Sequence, residues 1–232
     1  MMTSQKYQWL LFDVDDTLFN FTLAESRSLE MTFEDLDLTF DSAAPQIYHE
    51  VNRATWEEFE QGLLTSLQLR TRRFERLFER LGITFDPEQF SSRYLKNLGR
   101  CSDLIEGAEE MIRALAPAYR LGLVTNGLAD VQRPRLEGSP LKEFFEVVVI
   151  SEEVGVAKPD PRFFDVAFAR MGQPQKSAVL VIGDSVASDI QGAFNYGLDA
   201  CRFNPRGSPA DARFPVVKEI GAWAELTEWL KR

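Results

Sequence analysis

The feature that most constrains this chain is a change of periodicity. Trp9 to Val14 is a short apolar run, broken only by Asp13, of the kind that forms a strand buried on both faces. From about Phe19 to Leu98 the pattern is then helical throughout. Leu67, Phe74, Leu77, Phe78 and Leu81 recur at helical spacing within Thr65–Leu81, and similar stretches lie near Thr22–Leu36, Ala44–Gln61 and Pro87–Leu98. Asp41-Ser42, Gly62 and Gly82 mark the breaks, so four helices of this length predict a small bundle. After Gly99 strands and helices alternate. Helix Ala108–Leu115 precedes strand Leu121–Thr125, strand Val147–Ile150 precedes helix Pro161–Met171, and strand Val179–Ile182 precedes helix Ala187–Tyr196. Strand Ala200–Phe203 and helix Ala222–Leu230 follow. Asp160 before Pro161 is a helix-start signal and Gly197 a stop. Short β-branched strands separated by helices predict a parallel sheet covered on both faces. The expected architecture is therefore α/β: a Rossmann-like core of residues 1–17 and 99–232, with an inserted α-helical bundle cap at 18–98.

Composition narrows the function. The net charge of −10 over 232 residues argues against a nucleic-acid partner, which demands a basic face. Arg70, Arg72, Arg73, Arg76 and Arg80 come closest to one, but interleaved acids make them read as a solvated helix face. No stretch approaches the ~18 apolar residues of a membrane span, and the first residues lack a secretory pattern. Cys101 and Cys201 are too few for a disulfide framework, which predicts reduced thiols and a cytoplasmic protein. No obligate protein partner is implied. The single histidine, His49, lies in a helical stretch and reads as a surface residue. Zinc sites and phosphohistidine chemistry are thereby disfavoured, leaving carboxylates, Lys, Ser and Thr to carry any reaction.

In a doubly wound sheet, ligands bind beyond the carboxyl ends of the strands. The polar residues there are consistent in kind: Asp13-Val14-Asp15-Asp16-Thr17, Thr125-Asn126-Gly127, Lys158-Pro159, and Gly183-Asp184-Ser185 with Asp189. Each set alone is ordinary turn chemistry; four, each just past a buried strand, are harder to attribute to turns. Asp13, Asp15 and Asp184 converging on one cavity would repel by roughly 4 kcal/mol per pair at ~4 Å and an effective dielectric near 20. A hard divalent cation offsets that repulsion, and oxygen ligands without His or Cys select Mg2+. Lys158 is suited to neutralise a carboxylate and a phosphoryl group together. Thr125 with the amides of Asn126 and Gly127 can hold phosphate oxygens. A carboxylate nucleophile needs a second acid to protonate the departing oxygen, and Asp15 is placed for that role.

These four sets resemble the signatures of the haloacid dehalogenase-like (HAD) superfamily, in order and with suitable spacing, and the helical block resembles its α-helical cap. The resemblance implies Asp13 as nucleophile and Asp15 as acid and base. It implies Mg2+ held by the Asp13 carboxylate, the Asp15 backbone carbonyl and Asp184, with Asp189 a water-mediated or indirect partner and Thr125 and Lys158 on the phosphate. A narrower resemblance, to the YjjG-type house-cleaning pyrimidine nucleotidases, rests on LLFDVDDTLFNF, VNRATWEEFEQGLLTSLQL with Arg73-Phe74, ISEEVGVAKPDP and GDSVASDIQGAFNYGLDACRFNP. It implies a pyrimidine 5′-nucleotidase acting on a nucleoside monophosphate. Asn52, Trp56 and Arg73 are its candidate specificity residues in the cap.

Four other readings compete, of which a phosphomutase is disfavoured because nothing in the sequence speaks for retained phosphate transfer. The same scaffold serves phosphatases for sugar phosphates or phosphoglycolate. A dehalogenase is disfavoured because that branch generally lacks an acid at the position of Asp15. A non-catalytic module is disfavoured by the intact acid set. One departure from the pattern is Pro134, inside the helix expected after the second strand, where proline costs ~3 kcal/mol and is expected to break or restart the helix.

Overall fold

Every residue of strand β1 (Trp9–Phe12) is buried, and β1 lies at the centre of the sheet. The computed structural model describes residues 6–231. Beside β1 stand β2 (Arg120–Thr125), β3 (Phe145–Ile150), β4 (Val179–Gly183), β5 (Asp199–Phe203) and β6 (Lys218–Ile220), in the order β3-β2-β1-β4-β5-β6. All pairings are parallel. From β1 the chain runs to β2 and β3 on one side and to β4, β5 and β6 on the other, so the carboxyl end of β1 is the switch point where α/β sheets place ligands.

Alternation along each strand divides the core between two faces. Leu10, Phe12, Leu121, Leu123, Leu180 and Ile182 pack with helices α5 (Ala108–Leu115) and α10 (Trp223–Leu230) through Met111, Ile112 and Trp223. Trp9, Leu11, Val124, Val149, Val179 and Val181 pack with α8 (Pro161–Met171) and α9 (Gln191–Tyr196) through Phe163, Phe164, Phe168 and Ala193. Helix α8 starts where the sequence signals it: the Asp160 carboxylate accepts from the Arg162 amide, with Pro161 in the first turn.

The chain forms two compact units. The first takes the chain up to Asn20, Asp103–Ala129 and Leu136 onward. The second is Phe21–Ser102 with Asp130–Arg135. It contains α1 (Phe21–Asp35), α2 (Ala44–Glu60), α3 (Ser66–Leu81) and α4 (Pro87–Leu98). Helix α3 opens with a capping box, Thr65 and Gln68 each bonding the other's backbone amide, and closes on Gly82 at φ 66°. Aromatic rings fill the bundle: Tyr48 stacks on Phe74 at 5.3 Å, and Phe33, Phe78, Phe90 and Tyr94 complete the cluster.

Two local outcomes differ from the sequence reading. Helix α6 (Ala129–Glu137) continues through Pro134 instead of breaking there. The carbonyl that proline leaves unbonded, that of Asp130, faces Gly99, where a Cβ would stand 3.5 Å from both that oxygen and the Pro134 ring. The helix expected over Ala187–Tyr196 begins as a π-helical turn, Val186–Ile190, before α9. Among the described residues no helix is long and apolar enough to cross a membrane. Both cysteines are free and buried.

Candidate active site

Asp13 follows the last residue of β1, and its amide donates to the carbonyl of Ile182 on β4 (2.9 Å). The sheet thus sets its backbone before the chain leaves it. The chain then coils at once: the amides of Leu18 and Phe19 both donate to the Val14 carbonyl, and Asp16 takes φ 53°. This turn brings Thr17, fully buried, against the end of β4. Thr17 Oγ1 donates to Asp184 Oδ1 and accepts from the Asp184 amide, both at 3.1 Å.

Lys158 crosses from the loop that follows β3 and the short helix α7 (Ser151–Val154) to close the group. Its buried ammonium donates to Asp13 Oδ1 (2.6 Å), Asp189 Oδ1 (2.5 Å) and the Val124 carbonyl (2.7 Å), which uses all three of its protons. Asp189 also accepts from the Ser185 amide (3.1 Å) and lies against Gly183, where a Cβ would meet its Oδ2 at 2.3 Å. Glycine at the end of β4 is therefore a space requirement for Asp189.

The charges do not balance. Carboxylate oxygens of Asp13, Asp184 and Asp189 lie within 4.8 Å of one another, with one ammonium among them. Each such pair repels by about 3 kcal/mol at an effective dielectric near 20. Burial, and then the neighbouring Asp189, push the Asp13 carboxyl well above its usual range, against the pull of Lys158. Burial, Asp189 and Asp16 push Asp184 up to about 7. Burial would lower Lys158, but Asp13 and Asp189 outweigh it and hold its pKa above the usual value. Three oxygen donors with surplus negative charge and no His or Cys fit a hard divalent cation.

The remaining predicted residues fall as follows. Thr125, buried at the end of β2, accepts the Gly127 amide on Oγ1 (3.0 Å), so that amide already has a partner. The Asn126 side chain bonds the backbone of Lys158 twice. Asp15 lies half-buried in the turn after β1, and the cluster of converging carboxylates contains Asp189 in its place. Thr17 stands in the same Asp13-Val14-Asp15-Asp16-Thr17 run, and its place in the motif carries no signal of the bond to Asp184.

In the helical unit the expectation of a substrate-facing surface is corrected for two residues. Asn52 and Arg73 are buried, and their polar groups turn inward. Asn52 Nδ2 donates to the buried Glu25 (2.7 Å), while Asn52 Oδ1 accepts from Arg73 Nη1 (3.2 Å). The Arg73 guanidinium lies over the rings of Phe74 and Tyr94, so it is not the solvated charge its neighbours in α3 suggest. A buried guanidinium needs such partners, and Glu25, on α1, gave no sequence signal for the role. His49, half-exposed, also has a partner, its Nδ1 standing 2.9 Å from Glu25 Oε2. Trp56 is half-buried, edge-on to Phe59.

The chain is similar to several known proteins. The chain is 38% identical over 199 residues to the pyrimidine 5′-nucleotidase YjjG of Escherichia coli, covering 86% of this chain and 87% of that one. It is 30% identical over 227 residues to the pyrimidine 5′-nucleotidase PynA of Streptococcus pneumoniae, covering 97% and 96%. The crystal structure of the HAD-hydrolase YfnB of Bacillus subtilis, bound to magnesium, superposes with a TM-score of 0.92 at 34% identity, over 98% of this chain and all of that one. Residues 7–197 match the model of one family, and the chain belongs to it: the haloacid dehalogenase-like hydrolases.

Proposed function

We propose that this protein is a Mg2+-dependent phosphatase that hydrolyses nucleoside 5′-monophosphates, pyrimidine nucleotides above all, through an aspartyl-phosphate on Asp13. The observation that carries the reading is the buried Lys158–Asp13 contact beside Asp184 at the switch point of the sheet. Lys158 fixes the Asp13 carboxylate and leaves Asp13 Oδ2 for attack on phosphorus. As that P–O bond forms, the bond to the leaving oxygen breaks, and Asp15 delivers a proton to the alcohol. Asp15 then takes a proton from water as its oxygen attacks the acyl phosphate, which frees Asp13 and releases inorganic phosphate. Thr125 and the backbone amide of Asn126 hold phosphoryl oxygens. Mg2+, held by Asp13, the Asp15 carbonyl and Asp184, would neutralise charge on the phosphoryl group. Asp189 acts on Lys158 rather than on the substrate.

The relatives named above as pyrimidine 5′-nucleotidases support the choice of substrate, and the two free cysteines support a cytoplasmic setting. We assign the helical unit, a cap over residues 18–98 in sequence terms, to substrate selection, with Trp56 as its most accessible candidate. Asn52 and Arg73 act there by holding α2 to α3.

Asp13→Asn tests the core of the reading. The change is nearly isosteric and the amide cannot act as nucleophile, so hydrolysis of any phosphomonoester should vanish while the thermal transition is retained. Turnover within tenfold of wild type in the folded variant would falsify the nucleophile assignment. A panel of nucleoside monophosphates and sugar phosphates ranked by kcat/KM tests the substrate, and a preference for sugar phosphates would overturn the nucleotide assignment.

A further inference from the structure

We propose that the Asn126 side chain is a positioning residue that acts on the reaction through Lys158 and not through the phosphate. The inference deepens the function proposed above and rests on it. Asn126 Nδ2 donates to the Lys158 carbonyl (2.9 Å) and its Oδ1 accepts from the Lys158 amide (2.8 Å), so one planar amide closes on both backbone groups of a single residue. Two residues earlier, on β2, the Val124 carbonyl accepts from Lys158 Nζ (2.7 Å). The end of β2 therefore grips Lys158 at both extremities of its flexible stem. That grip sets where the ammonium meets Asp13. Asn126 is in turn fixed by Ser151, whose Oγ donates to the Asn126 carbonyl (3.0 Å).

The contacts also show why the effect can be isolated. Nearby backbone is anchored independently: Asn195 Nδ2 donates to the Pro159 carbonyl (3.1 Å), the Asp160 amide to Ala157, and Gly192 packs closely on Pro159. Removing the Asn126 side chain loosens Lys158 without releasing the loop. Its backbone amide, the group suited to a phosphate oxygen, is untouched by Asn126→Ala. The backbone amide is thus left for the phosphate, while the side chain bonds the lysine.

The test is a double-mutant cycle on an activated aryl phosphate, whose good leaving group keeps weak variants measurable. Asn126→Ala should lower kcat by about ten- to a hundredfold, because a misplacement of ~1 Å in a catalytic group costs about that much. KM should change far less, and the thermal transition little. In the Lys158→Ala background the same substitution should change kcat by less than threefold, since residues acting as one unit are not additive. Multiplicative losses, or wild-type turnover in Asn126→Ala, would overturn the proposal. Should the alanine variant fail to fold, Asn126→Asp replaces it in the cycle. It keeps the acceptor for the Lys158 amide, loses the donor, and is read by the same criterion. A crystal structure of the variant separates this proposal from the one beneath it. If the wild-type protein hydrolyses no phosphomonoester, the proposed function falls. The positioning role then stands on a Lys158–Asp13 contact broken in the variant, and fails if that contact persists at 2.6 Å.

Discussion

Gly183→Ala isolates the geometry of the candidate site from its chemistry, because it adds one methyl group and removes no functional group. A Cβ at this position would stand 2.3 Å from Asp189 Oδ2, 2.4 Å from its Cγ and 2.7 Å from its Cβ. Ordinary contact requires about 3.4 Å or more, so the Asp189 side chain must move by roughly 1 Å. It has little freedom to do so: Asp189 is fully buried and tied to Lys158 and the Ser185 amide. Overpacking of this kind costs roughly 1–3 kcal/mol, which corresponds to roughly 2–12 °C in Tm for a chain of this size. A shift of ~1 Å in Asp189 passes to Lys158 and from there to Asp13, so turnover should fall about a hundredfold. Differential scanning fluorimetry and steady-state hydrolysis of an aryl phosphate read both effects. A variant with unchanged Tm and turnover within threefold of wild type would refute the argument that Asp189 fills the space glycine leaves.

The other predictions concern the acid, the metal and the helical unit. Asp15→Asn should lower kcat strongly for alkyl phosphates and weakly for aryl phosphates with acidic leaving groups; an equal loss across leaving groups would remove Asp15 from the acid role. Chelation should abolish hydrolysis and Mg2+ restore it. Mg2+ at a hundredfold excess over its Kd should also stabilise the fold by about 2.7 kcal/mol in a melting assay, an effect absent in Asp184→Asn. Metal-independent melting of the wild type would refute the site. Arg73→Met should destabilise the protein by roughly 3 kcal/mol by stripping a buried network of its only guanidinium. Trp56→Ala should instead depress nucleotide hydrolysis more than aryl phosphate hydrolysis, and a matched loss on both substrates would make Trp56 a packing residue.

What was legible in the sequence followed strong local signals. The start of the helix Pro161–Met171 was readable because Asp160 caps it and Pro161 opens it, and the structure ends it on Gly172 at φ 80°. The central strands were readable because they are apolar throughout, a pattern that only burial on both faces produces. Strand β6, Lys218–Ile220, gave no such pattern: it is three residues long, at the sheet edge, with only Ile220 buried. The site was legible as a set of residue types at strand ends, since topology alone brings Asp13, Thr125 and Asp184 to one edge. Its wiring was not. That Asn126 reaches back to Lys158, or that Thr17 bridges to Asp184, depends on side-chain directions that no periodicity encodes. Arg73 was misread for the same reason: its neighbours Arg72, Arg76 and Arg80 reach glutamates at the surface, and only the rotation of α3 directs Arg73 inward.

Two buried polar clusters of this protein look alike in composition and differ in charge. In the helical unit Glu25 and Arg73 are one carboxylate and one guanidinium, joined through a neutral asparagine that bonds both. The sum is zero, and the bonds link α1, α2 and α3 in register, although Arg73 Nε and Nη2 have no hydrogen-bond partner there. In the sheet unit Asp13, Asp184 and Asp189 converge beside one ammonium, with Asp16 adding to the negative charge at Asp184, so negative charge is in surplus. Burying an unpaired ion costs several kcal/mol, so folding alone would favour apolar residues at Asp184 and Asp189. Sequences break such rules where function requires it. A hard divalent cation would offset that surplus. The surplus lies at the sheet's switch point, where the fold presents its ligand site to solvent.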